Sequence, residues 1–455
     1  MYKKNVFEKY QDNLEPVFAF NEEYRKFLST CKNERFVVNF AKIIAELHGF
    51  KEINALKSLK PGDKVYAINK NKNIILFVVG KDKVVNGINV LGAHIDSPRI
   101  DIKQNPLYES QGFALLDTHY YGGIKKYQYV TIPLALYGVV VKKDGTVLDI
   151  NIGDNEGDPV LGISDLLIHL SANQMQKTAS TVIEGEDLDI TVGSLPLKGE
   201  EKDKVKANIL KLLKENYNIE EDDFVSAEIE AVPQGPAKDY GLDRSMIAGY
   251  GHDDRVCAYT SLRAVLDLKE IPNRTACCIL VDKEEVGSQG ASGAQSRFFE
   301  NTLAELLDKV GELSDLNFRK CLSNSNVLSS DVSAGVDPLY ANVNELKNSC
   351  FLNNGIVFNK YTGARGKSGC NDANAEYVAK IRKIMDDENI YYQTSELGRV
   401  DQGGGGTIAY IMANLNMNVI DAGVPVLCMH SPMEIVAKLD VYEAYQAYIA
   451  FIKNA

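Results

Sequence analysis

No Cys-x-x-Cys pair occurs among the eight cysteines of this chain, so the common structural zinc motifs are excluded. Cys277 and Cys278 are adjacent inside an apolar run, which suits reduced core thiols better than disulfides and points to a reducing compartment. Long hydrophobic runs are also missing. The longest, VTIPLALYGVVV at 130–141, is too short to span a bilayer and contains a proline. The opening MYKKNVFEKYQDNLEP has an early lysine pair but lacks the apolar core of a secretory signal. A cytoplasmic protein is expected. Excess positive charge is absent as well: the formal net charge is −12, which argues against general binding of nucleic acid or anionic membrane. There is no internal repeat and no low-complexity segment. QGGGG at 402–406 is not followed by Lys-Ser/Thr, so it is no phosphate-binding P-loop. It reads either as a flexible connector or as backbone brought close to a substrate at a helix start.

What is present is a soluble globular composition, 45% hydrophobic and 25% charged, over 455 residues, enough for two or three domains. Residues 22–50 carry apolar positions at helical spacing, with His48-Gly49 as a stop. Short apolar runs follow at 73–79 and 88–93, and again at 276–281, as buried strands. NAEYVAKIRKIMDD at 374–387, TIAYIMANL at 407–415 and VYEAYQAYIAFI at 441–452 read as helices, with strands NVIDAG and VPVLCMH between the last two. Such alternation predicts an α/β sandwich. The middle differs: residues 129–160 are rich in β-branched residues and turns, and 198–223 are strongly charged and partly helical. The expected organisation is an α/β domain in two parts, 1–101 and 241–455, split by an insertion over 102–240.

In open α/β sheets ligands bind beyond the carboxyl ends of the strands. Four apolar runs end in metal-binding or acid-base residues: VLGAHID in His94 and Asp96, CCILVDKEE in Glu284 and Glu285, NVLSSD in Asp331, and VPVLCMH in His430. GHDDR adds Asp253 and Asp254 before a helix-like stretch. Only six histidines exist, and two of them close such runs. Any one of these residues alone reads as an ordinary solvated strand end, but the combination suits a pair of zinc ions, which favour nitrogen and oxygen ligands. Three carboxylates and one hydroxide neutralise two Zn²⁺, leaving a further carboxylate as proton acceptor. Neighbouring glutamates at a strand end point in different directions, so one binds metal while the other serves as general base. Asp96, two residues beyond His94, is placed to orient its imidazole.

Taken in order, GAHIDSPR, GHDDR, DKEEVGSQG, SSDVSAG and MHSPME resemble the aspartyl aminopeptidase and vacuolar aminopeptidase I family of dinuclear zinc metallopeptidases. The resemblance implies an α/β fold, namely a three-layer α/β/α metallopeptidase domain interrupted by a β-rich dimerisation domain, and assembly into a tetrahedral dodecamer. It implies two Zn²⁺ per subunit, for which Co²⁺ or Mn²⁺ could substitute. Asp253 would bridge the metals, His94 and Asp331 would complete one position, and Glu285 and His430 the other. Glu284 would be the general base, with Asp96 supporting His94 and a metal-bound hydroxide as nucleophile. His169, in SDLLIHLSANQ, is similar to a histidine that the dimerisation domain projects into the neighbouring subunit's site, the alternative being a core or surface histidine. Lys360 is similar to a substrate-binding lysine, the alternative being a solvated surface lysine. The implied reaction is removal of N-terminal residues from peptides with a free amine. A binuclear carboxypeptidase or N-acyl amino acid deacylase is the enzymatic alternative, and a metal-stabilised shell without turnover the non-enzymatic one. One departure stands out. Acid-selective relatives carry histidines shortly after the metal-binding aspartate, where this chain has Ala334 and Asp337, and an added carboxylate would repel an acidic substrate side chain. Strict acidic specificity is therefore not expected.

Overall fold

The computed structural model describes residues 4–455, and the chain divides into two compact units. The first comprises the chain up to Asp96, Ala237–Met429 and Met433–Ala455; the second comprises Ser97–Pro236 with His430–Pro432.

The first unit is built on a nine-stranded mixed sheet. Its centre is parallel: Ala276–Val281, Asn89–His94, Asn326–Ser329 and Asn418–Gly423 lie side by side in that order. Antiparallel neighbours flank them, Asn73–Val78 on one side and Ile356–Asn359 on the other. The central strands are apolar on both faces, as a sheet covered on both sides demands. Along Ala276–Val281 the side chains alternate between two cores. Ala276, Cys278 and Leu280 join the one containing helices Glu15–Thr30, Glu34–Leu47, His252–Leu266, Ala375–Asp387 and Lys438–Asn454. Cys277, Ile279 and Val281 join the one containing Phe298–Lys309 and Asp315–Asn324. That two-sided alternation makes the unit a three-layer α/β/α sandwich. A smaller five-stranded sheet includes Met246–Gly249, Glu434–Ala437, Pro425–Leu427 and Ser333–Ala334.

Several local expectations are refined. The helical pattern over residues 22–50 is two helices, not one. It breaks at Cys31, and Asn33 starts the second by accepting the N–H of Phe36 on its side chain. The helix expected at 407–415 is confined to Ala409–Ala413. The strand expected from VPVLCMH stops at Leu427, because Cys428 and His430 take positive φ values of 60° and 65°. QGGGG is tightly packed: a Cβ on Gly403 would lie 1.8 Å from the Leu397 carbonyl oxygen, and Gly405 donates its N–H to Thr362 O at 3.0 Å. Gly403 and Gly404 serve close packing, whereas a Cβ on Gly406 would meet open space. None of the eight cysteines is in a disulfide.

The second unit is a six-stranded antiparallel sheet, ordered Val147–Ile152, Leu134–Val141, Ala227–Pro233, Arg99–Ser110, Phe113–Tyr121 and Ile190–Gly193. One amphipathic helix, Lys204–Tyr217, packs Ile209, Leu210 and Leu213 against its core. Among the described residues, no helix is long and apolar enough to cross a membrane.

Candidate metal centre

His94 ends its strand beside Val281, its register partner on the adjacent parallel strand. The imidazole is 2% exposed. Its Nδ1 lies 3.0 Å from the Asp96 carbonyl oxygen, and a carbonyl only accepts, so Nδ1 carries the proton. Nε2, on the other side of the ring, faces a set of carboxylates. Asp253 Oδ1 is 3.1 Å away, and Glu284 Oε2 and Asp331 Oδ1 are each 4.0 Å away.

Asp253 stands at the start of the His252–Leu266 helix, where its φ and ψ of −79° and 107° depart from helical values. The Asp253–Asp254 peptide is cis. The turn before it is fixed by Arg255, a fully buried side chain. Its guanidinium donates to the carbonyls of Gly251 and Tyr250, both at 3.0 Å, and to that of Cys31 at 2.8 Å. Gly251 is needed there: φ is +75°, and a Cβ would meet the guanidinium at 1.4 Å.

Glu284 and Glu285 are not at a strand end as expected. They begin a single 3-10 turn, Glu284–Val286, entered through Lys283 at φ 69° and left through Gly287 at φ 95°. With three residues per turn, successive side chains diverge by about 120°, so the pair can face different partners without stacking their charges. Asp96 anchors both, its two carboxylate oxygens accepting the N–H groups of Glu284 at 3.1 Å and Glu285 at 3.2 Å. It thus ties the histidine to the glutamate turn, a function its place in the sequence does not disclose.

Asp331 follows the Asn326–Ser329 strand. Its backbone approaches the neighbouring strand so closely that a Cβ on Gly423 would lie 1.7 Å from the Asp331 carbonyl oxygen. Gly423→Ala is therefore expected to displace Asp331 and lower kcat/KM by about 10²-fold, the cost typical of a roughly 1 Å misplacement at a reacting centre. Steady-state kinetics, with circular dichroism to confirm the fold, checks this.

The electrostatics of the cluster favour a cation. Burial pushes the carboxyls of Asp331 and Asp254 well above the usual range, and neighbouring carboxylates push them further. Burial disfavours charging His94, yet hydrogen bonds to Asp253 and Asp96 together with the charges of Asp96 and Asp331 outweigh it and raise its pKa well above the ordinary value. A multivalent cation would relieve the repulsion among these carboxylates around one imidazole. The ligand atoms of His94, Asp253 and Asp331 lie within 4.8 Å of one another, as do those of His94, Glu284 and Glu285. Imidazole nitrogen with carboxylate oxygen is a donor set that suits zinc.

His430 lies in the loop beyond Pro425–Leu427, in the three-residue segment that groups with the second unit. Its Nδ1 donates to Gly123 O at 2.9 Å, which leaves Nε2 as the ring nitrogen that could accept a metal. His169 is exposed on the second unit within Ile168–Leu170. Lys360 is paired with Asp372, Nζ to Oδ1 at 2.5 Å, and is half-exposed. Asp337 accepts the N–H of Leu339 at 2.8 Å and so closes a turn.

A three-layer α/β/α sandwich with buried His and Asp gathered beyond the ends of its parallel strands has the arrangement of a metal-dependent hydrolase. Comparison with known proteins gives the family. Residues 27–452 match the model of the aminopeptidase I zinc metalloprotease (M18) family, and the chain belongs to it. It is an M18-family aminopeptidase, a zinc metalloprotease. A probable M18 family aminopeptidase 1 of Clostridium acetobutylicum is 57% identical over 99% of this chain and 98% of its own length. The crystal structure of an M18-family aminopeptidase from Thermotoga maritima covers 100% of both chains at 45% identity, with a TM-score of 0.97. A subunit of the S. cerevisiae mApe1 dodecamer, 19% identical with a TM-score of 0.76 over 97% of both chains, shares the fold.

Proposed function

We propose that the enzyme removes N-terminal residues from peptides at a binuclear zinc site. In this reading Asp253 bridges the two positions, His94 and Asp331 complete the first, and Glu285 and His430 complete the second. The observation that carries it is the convergence of His94, Asp253 and Asp331 with the Glu284 carboxylate 4.0 Å from His94 Nε2. Zinc, when bound, supplies a Lewis acid for the scissile carbonyl and makes water acidic enough to ionise near neutral pH. The chain's own part is positional. Glu284 takes the proton from the attacking water on one of its Oε atoms and delivers it to the leaving amine nitrogen. Asp96 holds the turn that presents Glu284 and fixes the His94 tautomer. Lys360 is a candidate substrate contact that would first have to leave Asp372.

The second unit is read as a dimerisation domain. Leu166, Leu167, Ile168, Leu170 and Met175 are between 45% and 69% exposed around His169, an apolar run that a partner subunit would cover. His169 would then enter the neighbouring subunit's site, in a dodecamer like that of mApe1. Eight cysteines outside any disulfide fit a cytoplasmic setting. For specificity, Ala334 and Asp337 favour neutral or basic N-terminal residues over strictly acidic ones.

The test is a panel of peptides differing in their first residue, each with a free and an acetylated N-terminus, offered to zinc-loaded enzyme. Cleavage confined to free amines is expected, with acidic residues not preferred. Equal or faster cleavage of the acetylated set would instead indicate the deacylase or carboxypeptidase reaction.

A further inference from the structure

Asp253 has a backbone problem of its own. It lies in the first turn of its helix, where no preceding turn offers a carbonyl to its N–H, and its ψ of 107° takes it out of the helical ladder. The residue is 3% exposed, so water does not readily replace the missing acceptor. The acceptor is Glu434, whose Oε2 lies 3.0 Å from Asp253 N. Glu434 is itself 1% exposed and begins the Glu434–Ala437 strand, in register with Gly249 on the strand that leads into the Asp253 turn.

We propose that Glu434 is a positioning residue that locks the main chain of Asp253 and thereby aims its carboxylate. The turn is then gripped from two sides: Arg255 holds the carbonyls of Tyr250 and Gly251, and Glu434 holds the N–H of Asp253. The position matters because Glu434 lies just beyond His430, so one short segment carries both a proposed ligand and the anchor of the proposed bridging ligand. This inference rests on the reading of Asp253 as the bridge.

Two conservative variants separate acceptor position from charge. Glu434→Gln keeps an oxygen at the same reach and removes the charge, whereas Glu434→Asp keeps the charge and withdraws it by one methylene. Both are compared with Asp253→Asn for zinc affinity and stoichiometry, by competition with a chromophoric chelator on the metal-free protein, and for kcat and KM. The expected result is that Glu434→Asp weakens zinc binding by about 10–100-fold, as loss of an outer hydrogen-bond partner does, with kcat falling and KM little changed. Glu434→Gln is expected to bind zinc like the parent. Parent-like zinc binding by Glu434→Asp, alongside loss in Asp253→Asn, overturns the positioning role alone. So does Glu434→Gln losing as much affinity as Glu434→Asp. Unchanged zinc binding in Asp253→Asn overturns the bridging assignment and this inference with it.

Discussion

Glu284→Gln is expected to lower kcat by about 10²–10⁴-fold, the usual worth of a positioned general base, while zinc content and KM stay near those of the parent. The amide fills the same volume and its backbone N–H still reaches Asp96, so the turn is preserved. What is lost is the ability to accept and return a proton. Glu284 is also close enough to His94, at 4.0 Å, to be mistaken for a ligand. Measuring kcat, KM and bound zinc on one preparation distinguishes the two roles. A base removes rate and leaves metal; a ligand removes both. Loss of zinc in parallel with activity would transfer Glu284 to the ligand set and make Glu285 the candidate base.

Removing the proposed bridge has a broader effect. Asp253→Asn replaces a buried carboxylate 3.1 Å from His94 Nε2 with a neutral group that offers one weak donor oxygen. If Asp253 serves two metals, both positions weaken together, by more than the roughly 10–100-fold that loss of an outer partner costs. Activity then falls below detection at ordinary zinc concentrations. Glu285→Gln, by contrast, is expected to weaken one position and leave the other close to the parent. Zinc titrations of the two variants against the parent give the comparison. Loss of a single zinc in Asp253→Asn would mean that its carboxylate serves one ion.

Much of this centre could be read in the sequence because buried parallel strands write long apolar runs, and a run that ends in His94 or Asp331 advertises what lies beyond it. The Glu284–Glu285 pair was conspicuous for the same reason, although its geometry was not: a 3-10 turn entered through a lysine at positive φ leaves no mark on hydrophobic periodicity. The double role of Asp96 was half visible, since proximity in sequence suggested His94 but nothing suggested two backbone N–H groups nearly two hundred positions later. Arg255 could not be assigned either, because all three of its carbonyl acceptors belong to the main chain, which sequence chemistry does not distinguish. Gly423 had a signal, an isolated glycine ending an apolar strand, which is the usual mark of close backbone approach. The break at Cys31–Asn33 was hidden because apolar spacing continues in phase across it, and only the capping asparagine marks the new start.

The strand that ends in His94 pairs with Ala276–Val281 and Asn326–Ser329, both synthesised after the whole of Ser97–Pro236. On the ribosome it therefore waits without lateral partners while a long stretch of chain emerges. The intervening stretch need not wait, since each strand of its sheet finds neighbours within the stretch itself. When that sheet closes, its entry and exit strands lie side by side, Ile100 opposite Ala231. Closing so long a loop carries an entropy cost that grows as about (3/2)RT ln n, and strand pairing inside the loop shortens the effective length to be closed. The two halves of the hydrolase domain then meet as if joined by a short tether, and in the proposed reading the ligand set would be complete only once His430, near the end of the chain, has arrived.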